Sequence, residues 1–73
     1  MFNSKKVKKG FYYLTSNWEF RFSPTEDDAK ANNPIKYWWV EDFEDFDAAL
    51  EEAGAIHCKA KGIKISKIPI ILG

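Results

Sequence analysis

The sequence predicts an α+β fold: a small, mostly antiparallel sheet with one main helix packed on one face, in the order β-β-(short α)-β-α-β-β. Three observations predict it. Aromatic residues make up 16% of the 73 residues, and most fall on segments that alternate with the strand period. One segment, Phe43 to Ala53, instead repeats apolar residues at helical spacing. Turn-forming residues separate these segments: Ser16-Asn17, Asn32-Asn33-Pro34, Gly54 and Lys61-Gly62. A chain of this length is expected to form a single domain, spanning 1–73.

Residues 1–4 are expected to be frayed, and Lys5 to Leu14 and Trp18 to Phe22 read as an antiparallel hairpin around Thr15-Ser16-Asn17. With Ser16-Asn17 as a two-residue loop, Thr15 faces Trp18, Tyr13 faces Phe20 and Phe11 faces Phe22. Those pairs share one face, while Leu14 with Glu19 and Tyr12 with Arg21 share the other. Ser23-Pro24-Thr25-Glu26 carries a capping-box pattern and starts a short helix or acidic loop, which Asn32-Asn33-Pro34 ends.

Ile35 to Val40 is a strand rich in β-branched and aromatic residues. Ile35, Tyr37 and Trp39 share one of its faces; Lys36, Trp38 and Val40 share the other. In the helix from Phe43 to Ala53, the residues Phe43, Phe46, Leu50 and Ala53 form the buried stripe, with Asp42 or Asp45 as cap and Gly54 as terminator. Ala55 to Ala60 and Ile63 to Lys67 are expected to form a second hairpin, in which Lys59 faces Lys64 and His57 faces Ser66. Pro69 marks an edge, and Ile70, Ile71 and Leu72 must find cover. The expected core is Phe11, Tyr13, Trp18, Phe20, Phe22, Trp39, Phe43, Phe46, Leu50, Ile56, Cys58, Ile63 and Ile65.

Composition narrows the functional classes. The net charge is zero, with basic residues near both ends and an acidic stretch from Glu41 to Glu52. The single cysteine, Cys58, excludes an intrachain disulfide. The longest apolar run, broken by Pro69, is far short of the ~20 residues of a membrane span. Met1 to Lys6 lacks the apolar stretch of a secretory leader, so a cytoplasmic protein that does not bind membranes is expected.

No catalytic, metal or cofactor constellation is legible. His57 and Cys58 are adjacent and point apart on a strand, and no second His or Cys is present. The glycines are isolated, so no phosphate-cradling loop exists. The expectation is a non-enzymatic accessory or regulatory factor that binds a protein partner. Its expected contact surface is the face bearing Tyr12, Arg21, Lys36, Trp38, Lys59 and Lys64, because interface centres favour aromatics with charge at the rim. An acidic surface of Glu44, Asp47, Glu51 and Glu52 is the other candidate. A second reading is single-stranded nucleic-acid binding, with those aromatics for stacking and Lys5, Lys6, Lys8 and Lys9 added for phosphates. A third is a homodimer built on spare apolar surface.

Overall fold

The structure, a computed structural model, describes residues 7–72. The readings for residues 1–6, including a frayed start and the strand residues Lys5 and Lys6, lie outside the described residues. The elements run β1 (Gly10–Leu14), β2 (Phe20–Ser23), α1 (Glu26–Ala31), β3 (Lys36–Val40), α2 (Phe43–Lys61) and β4 (Ile70–Ile71). The fold is α+β. Among the described residues four strands take the order β3-β1-β2-β4, with β1 antiparallel to both neighbours and β4 parallel to β2. The sheet is therefore mixed, and α2 crosses it from one edge strand to the other.

The first hairpin forms in a different register from the one its sequence predicts. Tyr12 faces Phe22, Tyr13 faces Arg21 and Leu14 faces Phe20. The loop holds three residues, closed by Trp18 N–H to Thr15 O and Thr15 N–H to Glu19 O, both 2.9 Å. Its last residue, Trp18, takes φ 62, the left-handed conformation that completes this three-residue turn. One extra loop residue shifts the register by one and moves every β1 side chain to the other face. Tyr12 and Leu14 enter the core beneath α2, while Phe11 and Tyr13 turn to the opposite face.

The core follows from that register. Tyr12, Leu14, Phe20 and Val40 from the sheet meet Phe46, Ala49 and Ala53 from α2. Tyr12 stands at its centre, with ring centroids 5.6 Å from Phe20, 5.1 Å from Phe22 and 5.3 Å from Phe46. Its hydroxyl donates to Lys8 O at 2.9 Å, so burial of the phenol leaves no orphaned donor. Gly10 is required by close approach: a Cβ there would lie 2.6 Å from the Phe22 ring.

Helix α1 lies on the other face of the sheet. Thr25, rather than Ser23, is its cap and accepts from Asp28 N–H at 3.2 Å. The Ser23 hydroxyl is fully buried and lies 2.8 Å from both Thr25 O and Asp28 Oδ2. Ala29 is buried on this side, as is Tyr13. Asn32 ends the helix as its sequence predicts.

Helix α2 begins as expected, with Asp42 accepting from Asp45 N–H at 3.0 Å, but it does not stop at Gly54. It continues to Lys61 and ends at Gly62 in the left-handed conformation, φ 66. The second hairpin is thus replaced by two further helical turns and an extended return. Ile56 and His57 extend the stripe of Phe46, Ala49 and Ala53, and that continued spacing overrides a single glycine. Two members of the expected core follow the lost hairpin outward: Ile63 is exposed and Ile65 is 74% exposed. Cys58 is half-buried on the helix. The chain then runs back along α2, where Ile68 and Leu72 pack on the core and Ile70–Ile71 pair with Phe20 and Arg21.

Candidate functional site

The structure separates the residues that the sequence groups on one face. Tyr12 is fully buried and cannot touch a partner. Trp38 is half-buried beneath α2, 5.8 Å from Phe20, so it is a core-flanking residue. Lys36 shares that side and binds Glu52 of α2. Arg21 lies on the opposite face, ion-paired with Glu19 at 2.9 Å. Lys59 stands on α2 and Lys64 on the returning segment, both exposed, instead of facing each other across a hairpin. The register shift and the longer helix together account for all of these corrections.

The aromatic surface left open is on the other side. Trp39 is 49% exposed, on edge strand β3. Its ring centroid lies 5.0 Å from that of Phe11, and Phe11 lies 6.2 Å from Tyr37. Three rings from adjacent strands thus line one face beside α1. Two carboxylates rim them. Glu26 of α1 accepts from the Tyr37 hydroxyl at 2.8 Å, and Glu41 accepts from the Trp39 indole N–H at 3.5 Å. The Glu26 hydrogen bond, foremost, holds the Tyr37 phenol above its usual range. Where β3 begins, Lys30, Asn33, Pro34, Ile35, Lys36 and Tyr37 line an open groove of about 450 Å³.

Lys30 pairs with Glu26 at 3.9 Å beside these rings, and three other lysines lie on the opposite side. Lys8 lies over the Phe22 ring at 5.5 Å, Lys36 over Trp38 at 5.8 Å and Lys61 over Trp18 at 5.9 Å. All three rings belong to the α2 side. Each cation thus covers apolar surface that α2 leaves partly open. On α2 itself Glu44, Asp47 and Glu51 are exposed, while Glu52 is engaged with Lys36 and held below its usual range chiefly by that contact.

His57 and Ser66, expected to face each other across a hairpin, do meet, but by another route. Nδ1 of His57 and the Ser66 hydroxyl share a 2.8 Å hydrogen bond that ties the returning segment to α2. The imidazole packs at a tilt of 32° against Trp18, with ring centroids 4.7 Å apart. Among the described residues, no group of three or more His, Cys, Asp or Glu is gathered to hold a metal ion, and no helix is long and apolar enough to cross a membrane.

Sequence reasoning placed Phe11 and Trp39 in the core and so missed the exposed face. The one signal for it is the pair Trp38-Trp39: on a strand, one of two adjacent indoles must turn away from the helix. No family model, curated protein or solved structure matches the chain.

Proposed function

We propose that this protein is a non-enzymatic binding module that presents the Trp39–Phe11–Tyr37 face to a protein partner. The observation that supports this reading is Trp39 itself: a large indole, 49% exposed and held on a strand against Phe11. A rigid, exposed tryptophan loses little side-chain entropy on binding and buries much area, and such residues dominate interface energetics. Glu26 and Glu41 at the rim favour a partner whose apolar anchor is ringed by basic groups.

The same carboxylates count against nucleic acid, because phosphates would approach them directly. Three of the lysines that could neutralise phosphate, Lys8, Lys36 and Lys61, lie over rings on the α2 side. Affinity capture with the wild-type protein and Trp39→Ala tests the reading. The wild type should retain a stoichiometric protein that the equally folded variant loses. Capture that is identical for both would overturn it, and so would an oligonucleotide that binds with steep salt dependence in place of any protein.

A further inference from the structure

Strand β3 stands at one end of the strand order of the described residues, and its outer edge carries unpaired backbone groups. In an antiparallel ladder, successive residues turn their backbone groups to alternate sides. The Thr15 N–H to Glu19 O bond places the odd-numbered residues of β1 on the β2 side. The even-numbered Gly10, Tyr12 and Leu14 therefore bond across to Val40, Trp38 and Lys36. It follows that Tyr37 and Trp39 turn their N–H and C=O groups outward, where, among the described residues, the strand order provides no neighbour. This open run has defined ends. The next donor after Trp39 on that side, Glu41 N–H, is taken by Asp45 Oδ2 at 3.0 Å, and before Tyr37 the Ile35 N–H turns back to Leu14 O at 2.8 Å.

We propose that this edge pairs antiparallel with β3 of a second copy about a two-fold axis at Trp38. Tyr37 then lies opposite Trp39 of the second copy, and Trp39 opposite its Tyr37. All the outward donors and acceptors of both residues are satisfied, and none already in use is required. Two aromatic cross-strand pairs form on the open face.

Charge selects the same orientation. Lys30 and Lys36 flank the groove where β3 begins, each paired with a carboxylate of its own copy, Glu26 and Glu52, while Glu41, Asp42 and Asp45 cluster where the strand ends with no basic residue between them. Parallel pairing would set the two acidic ends side by side; antiparallel pairing parts them and places each beside the lysine-bearing end of the other copy. A peptide from another protein could fit the edge only by reproducing this pattern, whereas a second copy carries it by symmetry. The pairing goes beyond the binding role of the Trp39 ring, which stays on the open face of the joined sheet.

The test is sedimentation of the full chain from micromolar to millimolar concentration, with Tyr37→Pro and Tyr37→Thr. The wild-type mass should rise from 8.5 kDa towards twice that value, with the midpoint moving to higher concentration as salt is added. Proline at an outward-facing edge position leaves the β1 ladder intact. Tyr37→Pro should therefore keep the wild-type circular dichroism yet raise the midpoint roughly tenfold or more, because two backbone donors are lost per dimer. Tyr37→Thr, which keeps the donor, should still dimerise.

If Tyr37→Pro fails to fold, amide exchange in the wild type decides: Tyr37 and Trp39 amides should become protected as concentration rises. A wild type that remains monomeric throughout, a folded Tyr37→Pro that dimerises normally, or exchange at those amides independent of concentration would each overturn the proposal. None of these results touches the Trp39→Ala capture experiment, so the two readings can fail separately.

Discussion

Trp38 and Trp39 are neighbours in sequence and opposites in environment. The Trp38 ring packs against Phe20 at 5.8 Å beneath α2, and its indole nitrogen is buried without a hydrogen bond of good geometry. Trp39 packs on Phe11, donates its indole N–H to Glu41 and is about half exposed to solvent. Truncating a fully buried tryptophan costs about 3–5 kcal/mol, so the half-buried Trp38 should lose about 2–3 kcal/mol as Trp38→Ala. Trp39→Ala should change stability by no more than about 1 kcal/mol, as exposed substitutions do. Urea denaturation of the two variants measures the difference directly. Equal costs would mean that the β3 side chains do not face as described. Strand alternation requires the two indoles to part, but it does not say which is covered. That choice is made in the next strand, by the length of the loop that ends at Trp18.

At the scale of elements, the positions of most segments were legible and their pairing was not. The strand over Lys36–Val40, the start of α2 at Asp42 and the end of α1 at Asn32 each follow from local chemistry, which sequence carries directly. The hairpin register depends on one bulky residue, Trp18, accepting a left-handed backbone, and no propensity favours that in tryptophan. The second misreading, ending α2 at Gly54, has a testable consequence. Gly54 lies inside a continuous helix, and a methyl group there would meet only Ser66, its Cβ at 3.6 Å and its Oγ at 3.8 Å, both ordinary contacts. Gly54→Ala should therefore stabilise the protein by about 0.5–1 kcal/mol, the helix-propensity gain, seen as a higher urea midpoint at unchanged slope. Destabilisation instead would mean that the returning segment cannot yield even slightly at Ser66. The candidate site failed to be legible for the same reason as the register: its residues were all visible as aromatics, but the face they occupy is a property of the pairing.

At the scale of the whole molecule, the two sides of the sheet differ in charge. Three lysines lie over half-buried rings on the α2 side, and carboxylates rim the rings on the other. The Lys36–Glu52 pair belongs to the first side and joins edge strand β3 to α2, tying together two elements separated by a sharp change of direction. It also makes a prediction about acid. In the folded protein the Glu52 carboxyl sits below its usual value of 4.5, mainly through its hydrogen bond to Lys36. The unfolded chain thus takes up this proton at higher pH than the folded one, and stability falls as pH drops. The contribution is complete above the unfolded value and disappears as pH falls through the lower folded value. Glu52→Gln, which cannot ionise, should melt at a slightly lower temperature than the wild type at neutral pH. The two melting curves should converge once pH is well below the carboxylate range. Because both partners are solvent-accessible, added salt should shrink the difference at neutral pH as well. A difference that persists undiminished in strong acid would show that Glu52 supports the β3–α2 junction by packing, not by its charge.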